Sequence, residues 1–156
     1  MTLYLILKAA HIVGATALLG TGAGIAFFML MAHRTGDARL IAHTAGVVVI
    51  ADMIFTATAV AVQPLTGAAL AHVAGYPLFS GWVGVSLILY VLVGAFWLPV
   101  VWMQLRMRDL ARAAVAADAP LPAAYHRLWR LWFAFGFPAF IAVIAIIWLM
   151  VAKPTF

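Results

Sequence analysis

The segment LWFAFGFPAFIAVIAIIWLMV, residues 131–151, holds no charged residue. A helix needs about 20 apolar residues to cross the hydrocarbon of a bilayer, so this stretch reads as a membrane span. Similar apolar runs cover about 3–31, 40–62 and 82–105. Of the 156 residues, 68% are hydrophobic and 8% charged, with a mean hydropathy of +1.16. A soluble domain carries about a quarter charged residues, so no water-soluble fold could hide this much apolar surface. In hydrocarbon every backbone polar group must bond internally. The expected fold is therefore all-α: a four-helix transmembrane bundle that forms one integral membrane domain over residues 1–156.

The links orient the bundle. His33, Arg34, Asp37 and Arg39 lie between helices 1 and 2, and Arg106, Arg108, Arg112, Arg127 and Arg130 lie between helices 3 and 4. The segment from Pro64 to Gly81 carries no charge. Basic links stay cytoplasmic during insertion, which predicts both termini on the outer, periplasmic side. The first run lacks the charged leader and cleavage site of a signal peptide and reads as a retained helix. LRMRDLARAAVAADAP is expected to carry helix 3 beyond the lipid as far as Pro120, with its arginines toward anionic headgroups. The six tryptophans fall mostly near span ends, as interfacial residues do. There is no cysteine, hence no disulfide, thiolate metal site or cysteine nucleophile. The net charge of +5 is spread by loop, and no nucleic-acid surface is expected.

An ionisable group deep in lipid costs about 2.5–3.5 kcal/mol, so each one needs a reason. Lys8 and His11 share a face near the outer end of helix 1, with Gly14 one turn beyond. Lys8 can snorkel and His11 can bond a neighbouring helix; together with Gly14 they suit an imidazole that ligates the metal of a planar cofactor. Helix 1 also carries Gly20, Gly22 and Gly24, a surface that lets another backbone or a flat ligand come close. Asp52 is the only acid in any span, available for proton handling, for ligand contact or for a neutral bond between helices. His43 and His11 lie about 12 Å from the midplane on opposite sides, so one haem iron cannot take both. His72, in the uncharged link, could return toward His11, whereas His33 and His126 read as interfacial. Lys153 before Pro154 ends helix 4, and with Lys8 and His11 it could form one electropositive pocket.

Four segments carry a family resemblance: YLILKAAHIVGATALLGTGAG at the start, ADMIFTATAVAVQPLTG in helix 2, LYVLVGAFWLPVVWMQLRMRDLA in helix 3, and YHRLWRLWFAFGFPAFIAVIAIIWLMVAKP at the end. They resemble the bacterial integral membrane proteins of domain-of-unknown-function family 2269, which implies a multi-pass protein of the bacterial cytoplasmic (inner) membrane and names no activity. More distantly, Lys8–His11 and Lys153–Pro154 are similar to motifs of the CopD-like proteins, among them the HemJ type of protoporphyrinogen oxidase. That similarity implies haem b and a porphyrin-related redox role with His11 as axial ligand. Helix 2 departs from HemJ at Asp52 and QPLTG.

The leading expectation is a haem in the outer half of the bundle, used for electron transfer: His11 on iron, with His72 or His43 as weaker candidates, Lys8 and Lys153 on the propionates, and Gly14 under the ring. As an enzyme it would be a haem-dependent membrane oxidoreductase. A rival reading makes His11, Asp52 and His43 successive polar steps of a metal-ion or proton translocating component. A third makes the chain a scaffold or partner subunit, whether as a homo-oligomer or beside another membrane protein.

Overall fold

The computed structural model describes residues 2–155. Four helices, α1 (Thr2–Thr35), α2 (Ala38–Ala74), α3 (Gly81–Ala116) and α4 (Ala123–Ala152), are each long and apolar enough to cross a membrane. There is no strand among the described residues. The all-helical, multi-pass architecture is the one that the apolar runs dictate.

Turn chemistry sets the helix ends. Gly36 takes φ +69°, and Asp37 then caps α2 by accepting from the backbone N–H of Arg39 at 2.7 Å and of Leu40 at 3.4 Å. α2 stops at Gly75, where φ +76° lets the N–H of Tyr76 reach the carbonyl of Ala71 at 2.9 Å. α3 ends at Ala116, short of Pro120, because Asp118 turns to φ 48° and the N–H of Ala119 bonds the Ala114 carbonyl. α4 starts well before residue 131, so Tyr125, Arg127, Trp129 and Arg130 are helical.

The largest departure from expectation is in α2. Its apolar run suggested an end near 62 and a link from Pro64 to Gly81, yet the helix continues through Pro64 to Ala74. Proline has no N–H for the carbonyl four residues earlier, here Val60. In lipid that orphan would be costly. The hydroxyl of Tyr90, from α3, donates to the Val60 carbonyl and replaces the missing bond. Tyr90→Phe is therefore expected to destabilise the protein by about 1–3 kcal/mol. Pro64→Ala should cancel that loss, because an alanine at this position supplies its own N–H. A double-mutant cycle of unfolding in mixed micelles checks this, and equal effects of Tyr90→Phe in both backgrounds would refute it.

The tight core lies at the end that carries the arginine links, here called the basic end. Ile41, Met107, Tyr125 and Met29 are essentially inaccessible there, beside Trp129 and Trp132. Trp129 and Trp132 are thus core residues and not part of an interfacial belt, while Trp102 and Trp148 are exposed as belt residues should be. α3 packs along α4, and its backbone approaches α2 mainly over Ala38–Ala51; beyond that, α2 packs chiefly on α1, and α3 reaches it through long side chains such as Tyr90. The glycines of α1 divide accordingly. A Cβ at Gly14 would lie 2.9 Å from Oε1 of Gln63 on α2, whereas Gly20, Gly22 and Gly24 have nothing within 4 Å.

Candidate functional site

Midway along α2 the helix widens into one π turn, Asp52–Thr56. Such a turn inserts a residue into the i→i−4 pattern and shifts the faces on either side of it. Here the turn sorts its side chains by polarity: Met53, Ile54 and Phe55 are exposed on the lipid side, while Asp52 and Thr56 are buried at 3% and 6% exposure.

Both carboxylate oxygens of Asp52 meet donors from α3. Nε1 of Trp97 donates to Oδ1 at 3.4 Å. The other partner is Gln104, whose orientation follows from a neighbour on α4. The indole N–H of Trp132 can only donate, so the Gln104 carbonyl oxygen must face it, at 3.3 Å. That turns the amide NH2 toward Oδ2 of Asp52 at 3.1 Å. Trp132 thereby decides what Asp52 receives. Thr56 adds a fully enclosed hydroxyl with no hydrogen-bond partner among the described residues. No cation pairs with Asp52; the one ion pair among the described residues is Arg108–Asp109 at 2.8 Å. Three helices thus build a polar cradle around the Asp52 carboxyl group and bring no basic side chain to it.

A second polar group lies in the α1–α2 seam. His11, 8% exposed, has Nδ1 2.9 Å from the hydroxyl of Thr66. That hydroxyl has one hydrogen and is also 3.0 Å from the Val62 carbonyl; when it donates there, it accepts from His11. In that arrangement the imidazole carries its proton on Nδ1 and the lone pair on Nε2. Gly67 makes room for the ring, since a Cβ there would lie 3.1 Å from Cε1.

At the basic end His33 stacks on Trp129, with centroids 4.2 Å apart and planes at 13°, and lies 3.4 Å from the Tyr125 hydroxyl. His126 meets the His33 ring edge-on at 5.9 Å. Both histidines line a cleft of about 250 Å³ with Gly36, Ile41 and Leu121. His33 is therefore part of a packed aromatic cluster and not merely interfacial.

The other expected site residues disperse. Lys8 is exposed, with Nζ 5.8 Å from the Tyr4 ring on its own helix. Lys153 caps α4 in a left-handed conformation, 5.5 Å over the Tyr76 ring. His72 is exposed on α2 rather than in a link, and His43 is exposed near the start of α2. No group of three or more histidines and acids could hold a metal ion among the described residues. For a haem, the imidazole chemistry of His11 fits an iron ligand in the tautomer that donates from Nδ1 to Thr66 and leaves Nε2 available. The rest of the expected set does not fit: Gln63 fills the space at Gly14, and Lys8 and Lys153 turn to separate tyrosines.

Sequence reading passed over Gln63, Thr66, Trp97, Gln104 and Trp132. The two glutamines carried a signal, being the only side-chain amides in the chain, Gln104 within an apolar run and Gln63 directly at the end of one.

A family model described as "Predicted integral membrane protein (DUF2269)" matches residues 5–154. No curated protein and no solved structure matches the chain. With four helices of spanning length and a family match over nearly its whole length, the chain belongs to the DUF2269 family of predicted integral membrane proteins.

Proposed function

We propose that this protein binds and releases a proton or small cation inside the membrane, with Asp52 as the group that takes up the charge. One observation carries the reading: both Asp52 oxygens face fixed donors, and no basic side chain neutralises them. A lone carboxylate at depth is costly until a proton or cation joins it. A proton placed on Oδ2 would compete with the Gln104 amide, which Trp132 holds in place, so uptake and amide reorientation are coupled. His11 of α1 packs against Thr66, which lies farther along α2 on one side of Asp52, and the His33 cluster lies toward the basic end on the other. His33 replaces the outward-facing His43 as the third polar step. By the distribution of arginines the basic end is cytoplasmic, in the bacterial inner membrane, with its belt against anionic headgroups.

Infrared difference spectroscopy of the reconstituted protein tests this. Acidification should raise a protonated-carboxyl band that is missing in Asp52→Asn, and sodium or potassium should suppress it if the bound species is a metal cation. A band that persists in Asp52→Asn, or its absence from the wild type across the accessible pH range together with no cation effect, defeats the reading.

The His11–Thr66 bond favours a second reading, a haem ligated by Nε2 of His11, which would supply one-electron transfer. Protein purified from haem-replete cells should then show a Soret band that His11→Ala abolishes. A colourless preparation ends that reading and leaves the Asp52 proposal untouched.

A further inference from the structure

Near the basic end, Ala42, His43, Gly46, Val47 and Ile50 of α2 line an open groove of about 340 Å³ whose other wall is Arg112 of α3. Gly46 shapes it: a Cβ there would lie 3.2 Å from Nη2 of Arg112, so the missing side chain lets the guanidinium rest against α2. Arg112 and His43 are both exposed, and Arg112 has no carboxylate partner among the described residues. A guanidinium that lies against a helix without an acid partner has its donors available to an anion. Farther along the same groove Val47 and Ile50 are 52% and 60% exposed. From His43 to Ile50 is about 10 Å of helix rise, over which the groove passes from cationic to apolar.

We propose that this groove binds an anionic phospholipid, its phosphate held by Arg112 and His43 and one acyl chain lying over Val47 and Ile50. The apolar half selects lipid over free phosphate, because an inorganic ion would leave Val47 and Ile50 uncovered. The site is separate from Asp52, and neither proposal depends on the other.

The test compares binding of phosphatidylglycerol and phosphatidylcholine to the detergent-purified full chain by native mass spectrometry. The wild type should retain phosphatidylglycerol preferentially. Arg112→Gln should weaken that retention about fivefold, the size of one basic residue's contribution near a membrane surface. Arg130→Gln, which removes an exposed arginine outside the groove, should change it little. Val47→Trp, which obstructs the acyl path and keeps the charge, should also weaken retention and serves if Arg112→Gln fails to fold. Equal losses in Arg112→Gln and Arg130→Gln would reduce the effect to a general basic belt and overturn the site. So would equal retention of the two lipids, full retention in Val47→Trp, or displacement of the lipid by millimolar inorganic phosphate.

Discussion

Asp52→Asn is expected to remove the acid-induced carboxyl band entirely and to lower stability by about 1–3 kcal/mol. The first effect is loss of the titrating group. The second follows from donor counting. Trp97 and Gln104 both present N–H groups to residue 52, and a carboxylate can accept from both. An asparagine accepts with its oxygen but offers NH2 on the other side, so one buried donor faces another. Gln104 cannot flip to relieve this while Trp132 donates to its oxygen. Trp132→Phe removes that restraint, so the penalty of Asp52→Asn should shrink in the Trp132→Phe background. Measuring the four proteins by reversible unfolding in mixed micelles decides the matter. Strict additivity would show that Trp132 does not orient the amide.

Tyr125→Ala is expected to destabilise the protein by about 3–5 kcal/mol, the range for deleting a large buried aromatic. Tyr125 is fully buried among Met107, Ile41 and Met29, and its ring lies 5.8 Å from that of His33. Helices gain no hydrophobic drive from packing against each other within lipid tails. Tyr125, however, lies in the first turn of α4, beside the arginine-bearing links, where water is the competing solvent. Transfer and cavity terms therefore both apply. Tyr125→Phe keeps the ring and loses only a 3.4 Å contact with His33, so it should cost about 1 kcal/mol or less. Similar losses for the two variants would place the stabilisation in the hydroxyl rather than in the packing.

The legible part of this molecule was the part governed by solvent. Apolar runs such as residues 131–151 announce their spans because each must satisfy hydrocarbon by itself, whatever its neighbours do. Asp52 was legible for the same reason, as the only acid set deep in such a run. The extension of α2 past Pro64 was not, because proline looks like a stop until Tyr90, from another helix, takes over the orphaned carbonyl. Trp129 and Trp132 read as belt residues because composition cannot tell an indole at the interface from one in the core.

Residue chemistry alone determined that the chain is a four-span helical membrane protein, since transfer into lipid sums over local residues and needs no knowledge of partners. Only the tertiary structure decided which polar groups act together. Lys8, His11 and Lys153 share an end of the bundle in sequence yet contact Tyr4, Thr66 and Tyr76 separately. Asp52, Trp97, Gln104 and Trp132 come from three helices and meet in one cradle. The reason is directional: hydrogen bonds require specific atoms within about 3 Å at a set angle, and helix rotation and register, which fix those vectors, emerge only when the helices pack.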